Sequence, residues 1–329
     1  MAAFKEFLSM HNFLISLIPF KSLRRQAKAN EAQKAAQKAA DYLSKNYVLP
    51  FSNGELKHYE FAPLKEFEND KIIWQLWFQG AQSAPALVQK CFDSVKKQMG
   101  GKYQIIILDE NNLKDYINFP PFVLQKLRDG VLSKTFFSDL LRVCLLATYG
   151  GVWLDATIYL SGKIPQNLLA QDFFAFQRSA TPPSDAKVWK KFDYGYFVWD
   201  ESFKIGLLSS FLVAKAKHPL MLALQDLLLG FFEREESLVH YFTLQILFDL
   251  LVSNEKFAPL NCAVTNDTDA HLLQLHAKEC FDAVLWSEIC QKTTIHKLTY
   301  FKTLPQNSMA MRILGLENEK LRGKADVAK

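Results

Sequence analysis

The sequence has little that would tie it together covalently or hold a structural metal. Its five cysteines, Cys91, Cys144, Cys262, Cys280 and Cys290, are odd in number and include no C-x-x-C pair. Neither a disulfide framework nor a structural zinc site is indicated, and a reducing cytoplasm fits such usage best. Charge of one sign is also scarce: 39 Lys and Arg against 34 Asp and Glu leave a formal net charge of +5. That excess does not call for nucleic acid as a partner, although it suits an anionic membrane face or a phosphorylated substrate. No internal repeat is visible, and no low-complexity linker follows residue 50.

A long apolar run is lacking too. The nearest approach, FKEFLSMHNFLISLIPF at residues 4–20, is interrupted by Lys5, Glu6, Ser9, His11, Asn12 and Ser16 and is too short to span a bilayer. It has no basic leader or small-residue cleavage site, so it does not read as a signal peptide. Lys21, Arg24, Arg25 and Lys28 follow. Two readings stand for this segment: a helix in a membrane interface, giving residues 4–28 a peripheral contact with the inner face of the cell membrane, or a helix packed on the protein's own core. Residues 26–46, rich in Ala, Lys and Gln, predict a solvent-facing helix that ends before Pro50.

What is present is an ordinary globular balance, 49% apolar and 22% charged residues over 329 positions, with a heavy aromatic load of 27 Phe, 11 Tyr and 6 Trp. So many rings suggest thick buried layers, or grooves that hold sugars, bases or lipid. Strand patterns at 71–78 and 103–108 flank a helical spacing of apolar residues at 84–98, which makes a βαβ beginning and implies a parallel sheet. A short helix follows Pro120-Pro121, and Ser133 is placed to cap a long, almost wholly apolar helix through Tyr149. Further strands are expected at 173–176 and 207–214 with a polar loop at 179–191 between them. Helix is expected over 219–251 and near 281–290, and a short strand at 295–301. The fold class read from this order is α/β, a Rossmann-like, mostly parallel sheet with flanking helices. The chain divides into a helical N-terminal segment (1–50), a central α/β domain (51–250) and a C-terminal helical extension (251–329).

Three charged residues stand out in or beside this apolar frame. Asp139 and Arg142 lie three apart on the long helix and share a face; they are either a structural ion pair or part of a ligand site, since such charges are costly to bury unpartnered. Tyr149-Gly150-Gly151-Val152-Trp153-Leu154 then leads to Asp155 at a strand's carboxyl end, where α/β sheets hold ligands and ions. Carboxylates accept hydrogen bonds from sugar hydroxyls and Arg neutralises phosphate oxygens, so the three together suit a sugar linked to a diphosphate.

The run IIWQLWFQG, then SDLLR, then YGGVWLDAT resembles GT-A glycosyltransferases bearing a DXD motif, and within them the capsular polysaccharide synthesis proteins. The resemblance covers about residues 70–215, with weaker echoes in HYFTLQILF and IHKLTYF. It implies that Trp77 stacks on the nucleotide base, against the alternative of core packing. It further implies that Asp139 and Arg142 hold the donor sugar and its phosphate, and that Asp155 contacts the metal shell and the ribose or sugar. Thr157 stands where a second acid would bind metal directly, so a Mn2+ or Mg2+ site on Asp155 and Thr157 is expected with a weak second ligand. The implied activity is transfer of a hexosyl unit, with retained configuration, from a nucleoside diphosphate sugar to a saccharide or glycolipid acceptor in surface polysaccharide synthesis. A catalytically silent nucleotide-sugar-binding or scaffold protein is the alternative that Thr157 motivates. Ser209, Ser210, His240 and Tyr241 are candidates for acceptor contacts, each with packing or capping as its other reading.

Overall fold

The computed structural model describes residues 19–200 and 202–317, so most of the N-terminal segment read above, up to residue 18, lies outside the described residues. In chain order, short one-turn helical segments aside, the elements are α1 (Lys21–Leu43), β1 (Ile72–Leu76), α2 (Ala86–Met99), β2 (Gln104–Leu108), α3 (Pro121–Arg128), α4 (Lys134–Tyr149), β3 (Gly151–Leu154) and β4 (Ile158–Leu160). There follow β5 (Phe173–Gln177), α5 (Ala186–Phe192), β6 (Leu207–Ala214), α6 (Pro219–Arg234), α7 (Thr243–Val252), α8 (Asp267–His276), α9 (Ala283–Lys292), β7 (Ile295–Lys297) and α10 (Met309–Leu314).

The central sheet has the order β2-β1-β3-β6-β5. β1 pairs in parallel with β2 on one side and with β3 on the other, while β6 is antiparallel to both β3 and β5. Every residue of β1, β5 and β6 is buried, which explains why these strands read as near-continuous apolar runs, interrupted only by Gln75, Gln177, Ser209 and Ser210, rather than alternating ones. Their side chains still alternate between two layers. Trp74, Trp153 and Leu212 face the layer built by α4 and α6, whereas Ile73, Val152 and Val213 face Val95 and Met99 of α2. A second, two-stranded antiparallel sheet, β4 with β7, packs beside α2.

The chain leaves β1 for β2 on one side and returns to β3 on the other, so the strand order reverses at β1. Loops leaving the carboxyl ends of β1 and β3 therefore diverge and open a crevice there. The Gly150-Gly151 turn is what lets β3 enter the sheet at that point. Both glycines have positive φ, 70° and 96°, and a Cβ on Gly151 would stand 2.6 Å from the Ile72 carbonyl oxygen. Only glycine meets both demands.

Four expectations change. The helix expected to face solvent, α1, buries Ala36, Ala39, Ala40 and Leu43 against α7 and its neighbours, because small side chains at i, i+3, i+4 and i+7 make a narrow stripe that seats closely. The second part of the polar loop at 179–191 folds into α5, anchored by Trp189, which is 1% exposed and donates from Nε1 to Asp185. The helical stretch 219–251 is two helices, α6 and α7, with Glu235 extended at the end of the first. β4, α8 and α10 form where no element was expected.

Candidate functional site

Arg142 is the hub of the crevice. It projects from α4, where only 5% of it is exposed, and its guanidinium is fully engaged. Nη2 lies 3.2 Å from Asp139 Oδ1 and 3.3 Å from Asp155 Oδ1. Nη1 donates to the Ser209 carbonyl (2.8 Å) and hydroxyl (2.9 Å), and Nε and Nη2 donate to the carbonyl and hydroxyl of Ser138. The ring of Trp153 lies beneath it, 5.2 Å from the guanidinium carbon. The planar fork of donors explains why an arginine occupies this crossing of α4, β3 and β6.

Asp155 closes β3. Its Oδ1 accepts from Trp153 Nε1 at 2.8 Å, and its Oδ2 accepts from Lys297 Nζ at 3.2 Å. Lys297 also donates to Thr157 Oγ1 at 2.7 Å. Two carboxylates (Asp139, Asp155) and two cations (Arg142, Lys297) make a site whose formal charges cancel. Burial raises the Asp139 carboxyl to about 6, an effect that Arg142 only partly offsets. At Asp155 burial pushes the same way, but Arg142, Lys297 and the Trp153 hydrogen bond outweigh it and hold the carboxyl below its usual range.

Two clefts meet at these residues. One, of about 500 Å³, is lined by Trp77, Lys134, Trp153, Thr157 and Tyr300. The other, of about 510 Å³, is lined by Asp139, Ser209, Ser210, Gln245 and His271. Thr135, Arg142, Asp155, Tyr241 and Lys297 line both and form the wall between them. In the second cleft Ser210 Oγ and Gln245 Oε1 are buried with no hydrogen-bond partner, although Gln245 Nε2 donates to Ser209 Oγ at 3.0 Å. Buried acceptors and donors left unpaired in a cleft are costly unless a ligand or water completes them.

The structure thus brings Asp139, Arg142, Asp155 and Thr157 together. Trp77 borders the first cleft but is 9% exposed, packed in an apolar cluster with Val88 and Cys91 and tilted against Tyr300. Its Nε1 is buried without a partner, so core packing and a cleft-lining edge coexist in one side chain. Of the acceptor candidates, Ser209 and Ser210 face the second cleft and Tyr241 stands on the shared wall, 62% exposed. His240 lines neither cleft; its Nδ1 accepts from the backbone N–H of Phe242, a capping role. Sequence reasoning missed Lys297, Gln245, Lys134 and Tyr300. Lys297 and Tyr300 sit in IHKLTYF and Gln245 in HYFTLQILF, the two weaker echoes, and that was the available signal.

The divalent cation expected on Asp155 and Thr157 is tested by the donor set. Both Asp155 oxygens already accept from protein donors, and the one ammonium bonded to Oδ2 and to Thr157 stands where a cation bridging them would sit. A dication about 4 Å from that ammonium would feel a repulsion on the order of 8 kcal/mol at an effective dielectric constant of ~20. Among the described residues no cluster of three or more His, Cys, Asp or Glu could hold a metal ion. As they are placed, these residues do not fit one.

Fold and site together define an α/β protein with a paired polar cleft at the point where its sheet order reverses. The chain belongs to the capsular polysaccharide synthesis protein family, whose sequence profile matches residues 24–313. It is 29% identical over 100 residues to the "O-glycosyltransferase braB" of Annulohypoxylon truncatum, a match covering 28% of this chain and 24% of that protein. It is 26% identical over 123 residues to the "O-glycosyltransferase PaGT" of Phomopsis amygdali, covering 35% of this chain and 30% of that protein. The matches span about a quarter to a third of these relatives' lengths. Among solved structures, the chain named "PaToxG Glycosyltransferase" superposes with a TM-score of 0.35 at 13% identity, covering 93% of this chain and 94% of that one. Among the described residues no helix is long and apolar enough to cross a membrane.

Proposed function

We propose that this chain is a GT-A glycosyltransferase that moves a hexosyl unit from a nucleoside diphosphate sugar to a hydroxyl of a saccharide or glycolipid, in surface polysaccharide synthesis. The observation that carries the reading is the pair of clefts sharing one charged wall, because a group transfer needs two substrates whose reacting ends meet. The first cleft, with Trp77, Lys134 and Tyr300, takes the nucleoside diphosphate. The second, with Ser210 and Gln245, takes the hydroxyl-rich acceptor, and Asp139 holds the donor sugar together with its partner Arg142. Arg142, reaching both, offsets the charge that develops on the departing diphosphate, and Asp155 accepts from donor-sugar hydroxyls while fixing Arg142 and Lys297. The family resemblance adds retention of anomeric configuration, which NMR of the product anomer reads directly.

The test is release of nucleoside diphosphate from a panel of UDP- and GDP-sugars, with and without saccharide acceptors. Turnover by the wild type that Arg142→Ala lowers by about 10²- to 10³-fold supports the proposal. Donor binding without turnover points to the catalytically silent binding protein, and neither binding nor turnover refutes both. Membrane contact is a separate part of the proposal, motivated by Phe20 and Leu23, 65% and 56% exposed, beside exposed Arg25 and Lys28. Deletion of residues 1–25 is expected to abolish cosedimentation with anionic vesicles; unchanged cosedimentation removes this part.

A further inference from the structure

We propose that the Lys297 ammonium is this site's cation, so that the donor diphosphate is bound by protein charges and needs no divalent metal. The inference rests on the nucleotide-sugar reading above. The position of Lys297 is fixed by the fold: β7 pairs with β4 so that Lys297 stands opposite Ile158, and the Leu298 N–H donates to the Thr157 carbonyl at 3.0 Å. That ladder delivers the ammonium between Asp155 Oδ2 and Thr157 Oγ1, the two oxygens that would otherwise face a metal. An ammonium has three N–H donors. Two are spent on Asp155 and Thr157, and the third is free to reach a phosphate oxygen in the first cleft, which Lys297 lines.

Charge supports the same assignment. Two acids bridged by a dication sum to zero, and one acid paired with one lysine also sums to zero. The hydroxyl at Thr157 removes one negative charge, and Lys297 supplies one positive charge beside it, so the exchange of a metal for an ammonium leaves the local charge balanced. Lys134 and Arg142 border the same cleft and give the diphosphate further cations.

The experiment is calorimetric titration of the full chain with UDP, GDP and inorganic pyrophosphate, in EDTA and again in MnCl2. Wild-type affinity for the nucleotides is expected to agree within about threefold between the two conditions, and Lys297→Met to weaken binding in EDTA by about tenfold or more, as loss of a hydrogen bond to a charged group implies. Lys297→Arg keeps the charge and is expected to retain most of the affinity. Electron paramagnetic resonance of Mn2+ mixed with the nucleotide-free wild type is expected to give the full signal of the free ion. In the swapped double variant, Thr157→Asp with Lys297→Ala, binding is expected to become Mn2+-dependent. Wild-type nucleotide binding that appears only with Mn2+ overturns the inference and leaves the donor-site reading standing, as does undiminished binding by Lys297→Met. Absence of binding to any nucleotide in either condition overturns the donor-site reading and the inference with it. If circular dichroism shows that Lys297→Met does not fold, the wild-type comparison and Lys297→Arg decide alone.

Discussion

Replacing Asp155 by Asn tests the charged wall without changing its shape. The amide keeps an oxygen that can accept from Trp153 Nε1 and Arg142, but it turns an NH2 group toward the Lys297 ammonium, which lies 3.2 Å from Oδ2 in the wild type. Removing one partner of a buried ion pair costs ~3–5 kcal/mol. Here the cost is smaller, because the Asp155 side chain is 23% exposed, Arg142 keeps Asp139 and Ser209, and Lys297 keeps Thr157. A loss of about 2–3 kcal/mol of unfolding free energy follows from that discount on the buried-pair figure. Urea titration reads it as a lower midpoint with an unchanged slope. The loss is expected to persist in about 1 M salt, where a surface pair would be screened out. An unchanged midpoint would mean that the carboxylate is not paired as described, and a loss that vanishes in salt would mean that the pair is exposed.

Other consequences are equally direct. Asp139 titrates at about 6 in the folded protein, above its usual value of 3.8. Its ionisation therefore costs stability, which falls as pH rises through that window and is level above it. Asp139→Asn is expected to remove this slope from the urea midpoint measured across the window, and an unchanged slope counts against a buried Asp139. Asp155, held below its usual range, contributes the opposite slope, with stability present above the unfolded pKa and lost as pH falls through the folded one. Gly151→Ala meets both a φ of 96° and a carbonyl oxygen at 2.6 Å, so a destabilisation of about 3 kcal/mol is expected in thermal melts. Trp77→Ala is expected to weaken nucleotide binding by about tenfold or more, as loss of a base platform does, and Trp77→Phe by less. Equal calorimetric affinities for all three proteins would assign Trp77 to packing alone.

The parts legible in the sequence were those set by local pattern. β1, β2, α4, β5 and β6 follow from apolar runs and spacing, and the Asp139–Arg142 pair follows from a three-residue offset on one helix. What was illegible depended on long-range partners. Lys297 enters the site only because β7 pairs with β4, well over a hundred residues earlier in the chain, and no local pattern announces that pairing. The helix α8 was missed because it begins on buried polar residues: Asp267 is fully buried, where it pairs with Arg178, and so reads as loop until its partner is known. Likewise α1 was read as solvent-facing because its surviving apolar stripe is alanine, and composition alone does not separate a close-packed Ala face from an exposed one.

Arg142 of α4 and Asp155 at the end of β3 therefore stand in one wall between two clefts, and Lys297 joins them from β7. The measurement that tests this most directly is thermal unfolding of the wild type and of Arg142→Ala in the presence of a panel of nucleoside diphosphate sugars. A ligand at about a hundred times its Kd stabilises the folded state by ~2.7 kcal/mol. The expected result is that at least one nucleotide sugar raises the wild-type Tm by several degrees, and that Arg142→Ala loses most of that rise. A wild type whose Tm is unmoved by every nucleotide sugar in the panel contradicts the account.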